Sequence, residues 1–172
     1  MSRENCPICD RQMVATSGPP SEILLVGEFP GPEEVIKGVP FVGKAGDVLK
    51  DELTKAGISY RTCRVTNLWS HNKPSEKKEY YAEDFDFHFK RLMEEISKAK
   101  YVLLMGSELA PIFTGHNVSD VAGLNLIGEV ESKIPLPKSL KVCVFAHNPA
   151  FVFHGPVGEF RQAIQRFKEL IS

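Results

Sequence analysis

Gly27-Glu28-Phe29-Pro30-Gly31-Pro32-Glu33-Glu34, continued by Gly38-Val39-Pro40-Phe41-Val42-Gly43-Lys44-Ala45-Gly46, decides the fold of this chain. The run follows a short apolar stretch, Ile23-Leu24-Leu25-Val26, and precedes an amphipathic one. An apolar strand that empties into a Gly- and Pro-rich loop and then enters a helix is where α/β folds build their sites. The two stretches hold five glycines, three prolines and three glutamates, more turn-forming residues than a plain connection needs. They also put a carboxylate, Glu28, at the carboxyl end of the first strand.

Outward from this loop, apolar runs alternate with helical periodicity. Strands are expected at Glu22–Val26, Thr62–Leu68, Tyr101–Met105 and Leu140–Ala146. Between them, Asp47–Ala56 presents Val48, Leu49, Leu53 and Ala56 on one helical face, with Gly57 as a stop signal. Glu79–Lys98 reads as a long helix with a stripe of Phe85, Phe89, Leu92, Met93 and Ile96. Ser107 is expected to cap a short helix after the third strand. Residues 115–138 read as irregular, with a hairpin near Gly128, and Gly158–Ile171 as a closing helix with Phe160, Ala163, Ile164, Phe167 and Ile171 inward. Strands alternating with helices predict a three-layer α/β/α sandwich around a four-stranded parallel sheet.

The bulk composition suits that fold. At 172 residues the chain is one domain, 1–172, with residues 1–20 a polar extension carrying the Cys6-x-x-Cys9 knuckle. No apolar run approaches the ~20 residues of a membrane span, and the first residues lack the apolar core of a secretory signal. A cytoplasmic or nucleoid-associated, non-secreted monomer is expected, whose four cysteines are thiols or metal ligands rather than disulfides. A net charge of −1 argues against a sequence-independent DNA coat, while leaving room for a local grip on a few phosphates.

The carboxyl ends of the four strands supply Gly27-Glu28, Asn67, Gly106-Ser107 and His147-Asn148-Pro149, with Phe41 within reach from the loop. A carboxylate, an amide, an imidazole or second amide and a flat apolar wall suit a planar heterocycle. Neither a Walker lysine motif nor G-x-G-x-x-G is present, so no nucleotide cofactor is expected.

On these residues the chain resembles the uracil-DNA glycosylase superfamily. Gly27-Glu28-x-Pro30-Gly31 with Gly38-x-Pro40-Phe41-Val42-Gly43-Lys44-Ala45-Gly46 is similar to its first motif, and most to that of its fourth, iron–sulfur-containing family. Thr66-Asn67-Leu68, Leu103-Leu104-Met105-Gly106 and Asn148-Pro149-Ala150 resemble the later motifs in order and spacing. The resemblance implies a DNA glycosylase that flips a base out of the duplex. Gly27, Phe29 and Gly31 would shape the base site. Phe41 would stack on the base, Asn67 would read its edge, and Glu28 would position or activate water. His147 or Asn148 would hydrogen-bond the leaving O2, and Phe151–Gly155 would fill the vacated stack. Apart from the resemblance, Lys73, Lys77 and Lys78 read either as a solvated loop or as a phosphate grip near the DNA.

The chain departs from the family in three places. Phe29 stands where Gly or Ala is usual, Asn148 stands where histidine is usual, and the expected metal ligands become Cys6, Cys9, His71 and His88. That set suits tetrahedral zinc or an iron–sulfur cluster with two histidine ligands. Zinc or no metal is favoured over a four-cysteine cluster. The first two departures also admit a catalytically inactive member that binds DNA, a base or a protein partner.

Overall fold

A computed structural model describes residues 4–72 and 78–172. Four strands, β1 (Ile23–Gly27), β2 (Arg64–Asn67), β3 (Tyr101–Met105) and β4 (Val142–Ala146), form one sheet in the order β2-β1-β3-β4. Every pairing is parallel. Gly27 lies opposite Asn67, and Met105 opposite Ala146, so the carboxyl ends of all four strands finish at one edge. The expected three-layer α/β/α architecture is the one observed.

Side chains alternate across the sheet and create two apolar layers. Leu24, Val26, Val102, Leu104 and Phe145 point to one face, covered by α3 (Lys78–Ser97), α4 (Leu109–Thr114) and α5 (Val118–Val121). Leu25, Leu103, Met105, Val144 and Ala146 point to the other, covered by α2 (Lys44–Lys55) and α6 (Val157–Ile171). Phe160, Ile164 and Phe167 are fully buried, each worth about 1.5–3 kcal/mol of apolar transfer. Glu52 of α2 is also buried, and both its oxygens accept from Arg161 of α6 at 2.9 Å, which ties the two helices together.

Three local expectations are corrected. The opening loop contains a short helix, α1 (Pro32–Lys37), started by Pro32 and stopped by left-handed Gly38. Ser107 does not cap α4; Glu108 stands at that position, and the Ser107 N–H is directed elsewhere. No hairpin forms near Gly128; α5 and single bridges from Ala122 and Asn125 to β4 fill that segment. The polar extension packs along the open edge of β2, where Ser17 and Val65 exchange backbone hydrogen bonds of 2.9 and 2.8 Å. That contact covers an unpaired strand edge.

Candidate functional site

A cleft of about 380 Å³ opens past the carboxyl ends of β1 and β2. Glu28, Phe29, Gly31, Phe41, Asn67 and Asn148 all line it. Six residues expected for the site, scattered over 120 positions of chain, are therefore brought together.

Glu28 is buried. Its Oε1 accepts the Ser107 N–H at 2.8 Å, and the Asn148 side chain lies near enough to favour its charged form. Gly106 makes room for this, with φ +135° and the Glu28 carboxylate occupying the space a Cβ would take. Burial raises the Glu28 pKa above the ordinary glutamate range, with Glu108 adding repulsion and the Ser107 and Asn148 donors opposing it. Such a carboxylate is suited to taking a proton.

Asn67 and Phe41 meet over Gly27. A Cβ on Gly27 would come within 2.5 Å of Asn67 Oδ1 and 2.6 Å of Phe41 Cζ. Glycine is therefore a packing requirement of the site. Phe41 has φ +53°, a left-handed conformation rarely held by an aromatic residue. The Glu34 carboxylate braces it by accepting N–H groups of Gly31 at 3.0 Å, Val42 at 2.8 Å and Gly43 at 2.6 Å. Behind Asn67, the Arg91 guanidinium donates to the Asn67 carbonyl at 3.0 Å and to Thr16 at 3.1 Å. Phe29 is 40% exposed at the cleft, so its ring faces the opening rather than the core.

Asn148 and His147 part company. Asn148 Oδ1 accepts the Ala150 N–H at 2.9 Å, capping the 3-10 turn at 149–153. His147 is not among the residues lining the cleft. Its ring stacks on Phe151 at 4.2 Å, and Nε2 lies 3.1 Å from Glu159 Oε2, outside hydrogen-bond alignment. Successive residues diverge at the strand end, so Asn148 lines the cleft while the His147 ring packs on Phe151. In the proposed wedge tract, Phe153 is half exposed while Phe151 is engaged with His147. Lys73 and Lys77 lie outside the described residues, as does the side chain of Lys78.

The expected metal ligands gather elsewhere, under α3. Cys6, His71 and His88 are buried with donor atoms in one cluster, and the fourth member is Asp84. Cys9 stands beside the Cys6 thiol, half-buried, and is not one of the four. Asp84 takes that place because it lies one helical turn before His88, on the same face of α3. That i, i+4 spacing was the signal available in the sequence. Burial raises the Asp84 pKa, but hydrogen bonds from Cys6 and His71 and the nearby imidazoles outweigh it and hold the carboxyl below the usual range. Burial, together with the charge of His71, pushes His88 down to about 4.

A four-cysteine iron–sulfur cluster does not fit these residues. Cys63 and Cys143 are buried in the apolar layers on opposite faces of the sheet, away from Cys6. The Glu34 clasp and the Ser107 N–H act through backbone groups, which carry no residue-specific mark, and Arg91 reaches Asn67 and Thr16 only through tertiary packing.

A family model described as the uracil DNA glycosylase superfamily matches residues 15–169. A type-4 uracil-DNA glycosylase of Archaeoglobus fulgidus is 34% identical over 79 residues, covering 42% of this chain and 40% of that protein. The first of these relatives is therefore matched over less than half its length. A type-4 uracil-DNA glycosylase of Pyrobaculum aerophilum is 24% identical over 180 residues, covering 95% of this chain and 88% of that protein.

Proposed function

This chain belongs to the uracil DNA glycosylase superfamily, and from that premise we propose that it hydrolyses the N-glycosidic bond of uracil, or of a related deaminated or modified base, in DNA. The observation that carries the proposal is the convergence of a buried carboxylate, an aromatic ring and an amide in one cleft at Glu28, Phe41 and Asn67. The target nucleotide leaves the duplex at a cost of a few kcal/mol. Stacking on Phe41 offsets about 1–3 kcal/mol of that. Asn67 has both a carbonyl and an NH₂, so it can accept from N3–H and donate to O4 of uracil; cytosine presents the reverse pattern. A buried amide left with mismatched partners discriminates strongly, on the order of 10⁴-fold.

Glu28 takes the proton of the attacking water, and its charge favours the oxocarbenium-like sugar. Asn148 has two N–H donors. One serves Glu28, and the other is left for O2 of the departing base, where negative charge builds. DNA is thus the partner, and the chain works on it as a monomer. No described helix is long and apolar enough to cross a membrane.

Oligonucleotides carrying uracil, hypoxanthine or 5-hydroxymethyluracil, incubated with the protein and resolved after alkaline strand cleavage, test this. Cleavage at one of these bases supports the proposal. A non-catalytic role is favoured by Phe29 at the mouth of the cleft and by the engaged Asn148; retained DNA binding with no cleavage of any substrate would establish it.

A further inference from the structure

The cluster of Cys6, His71, Asp84 and His88 lies outside the cleft, and the proposed reaction does not use it. All four side chains are buried, with one ligand-type atom from each inside a sphere of mutual distances no greater than 4.8 Å. We propose that these side chains form a hydrogen-bonded knot around the Asp84 carboxylate that holds without a metal ion and fixes the β2 exit carrying Asn67.

Interatomic lengths alone do not distinguish a knot from a metal centre. Asp84 Oδ1 lies 3.2 Å from Cys6 Sγ, 3.2 Å from His71 Nε2 and 3.1 Å from His88 Nε2. Cys6 Sγ lies 3.5 Å from His88 Nε2. Hydrogen bonds have these lengths, and so do the edges of a tetrahedron built from zinc–ligand distances of about 2.0–2.3 Å.

The backbone N–H of Ser70 decides between them. It donates to His88 Nδ1 at 3.3 Å. Nδ1 must then carry the lone pair, and the ring proton sits on Nε2, the nitrogen that faces the cluster. A histidine bound to a metal through Nε2 needs the other tautomer, with its proton on Nδ1 and an acceptor in front of it. Here Nδ1 faces a donor.

The proton inventory then closes around Asp84. The Cys6 thiol, His88 Nε2–H and His71 Nε2–H supply three donors to a carboxylate that has about four lone-pair sites. Among the cluster's own polar atoms, only His71 Nδ1 lacks a partner. The knot joins three segments: Cys6 from the extension, Ser70 and His71 from the β2 exit, and Asp84 and His88 from α3. Val14 N–H to Ser70 O at 2.6 Å, and Trp69 packed 5.6–5.7 Å from both imidazoles, complete the joint. Asn67 is three residues before Ser70, so the joint anchors the segment that leaves it.

The test uses the full chain purified under reducing conditions from cells supplied with zinc and iron. Elemental analysis is expected to give less than about 0.1 equivalent of either metal, and added zinc is expected to leave the melting temperature unchanged. Nitrogen-15 spectra of the imidazoles should show His88 protonated at Nε2 and bare at Nδ1. Asp84→Asn should lower the melting temperature by about 10 °C, while Cys6→Ser, which keeps a donor, should shift it by under about 3 °C. About one equivalent of zinc with His88 protonated at Nδ1 would overturn the proposal. If that zinc were lost in Asp84→Asn and kept in Cys9→Ser, a mononuclear site at the same four residues would replace it. An iron–sulfur absorption that disappears in Cys9→Ser would also overturn it. The spectra on wild-type protein decide the matter even if Asp84→Asn fails to fold.

Discussion

Glu28 combines burial with a charge that the proposed reaction needs. Replacing it by Gln keeps the shape and the Ser107 contact and removes the base. Glu28→Gln is expected to lower kcat on uracil-containing DNA by about 10²–10⁴-fold with the melting temperature preserved; a rate within a factor of about three of wild type would refute the assignment. The raised pKa predicts that kcat/KM falls on the acid side at a pH above the ordinary glutamate range. The same shift affects stability with a defined sign. Between the ordinary and the raised value, the native state binds more protons than the unfolded one, so stability decreases as pH rises through that window. Thermal melts across it should show the slope in wild type and a flatter profile in Glu28→Gln. Phe29, half exposed at the cleft, narrows entry. Phe29→Ala is expected to raise activity on 5-substituted uracils relative to uracil, measured as the ratio of kcat/KM values. Glu28 and Asn67 were legible as cleft residues because strand ends meet at one edge of a parallel sheet, and Phe41 because it stands in the Gly- and Pro-rich loop that follows β1. His147 was not separable from Asn148, because the direction of a side chain one residue past a strand depends on what packs beside it.

At the scale of elements, the loop after β1 is held by one side chain. Glu34 of α1 accepts three backbone N–H groups from both ends of the segment 31–43 and thereby keeps Phe41 in its left-handed conformation. Conformations of this kind cost on the order of 1–3 kcal/mol and persist only where the surroundings hold them. Glu34→Ala leaves three donors unmatched, and denaturant unfolding should register a loss of about 2–4 kcal/mol. KM for substrate DNA should rise more than kcat falls, since Phe41 binds rather than reacts. Glu34→Gln, which keeps an acceptor oxygen, should recover part of both effects. The sequence showed the punctuation of this loop but not α1 within it, because a six-residue helix carries too short a period to read.

For the whole molecule, stability rests on the two apolar layers and function on one edge of the sheet. Phe160 is fully buried between α6 and the sheet, so Phe160→Ala is expected to cost about 3–5 kcal/mol by denaturant titration. The net charge of −1 gives the chain no overall electrostatic attraction to DNA. Binding to undamaged duplex should therefore be weak, with a slope of log affinity against log salt of about −2 to −4, as for a grip on a few phosphates. A slope near that of a basic coat protein would contradict it.

The sequence by itself determined the layer architecture and family of this protein. Strand and helix periods and the glycines and prolines of residues 27–46 are local properties, and each survives in any environment that buries its apolar face. Only the tertiary structure decided which groups meet. It seated the Ser107 N–H on Glu28, withdrew His147 toward Glu159, put Asp84 where Cys9 was expected, and turned the Phe29 ring to the cleft. Those outcomes depend on contacts between distant segments, such as Glu28 and Ser107, 79 residues apart, whose energies no local pattern encodes.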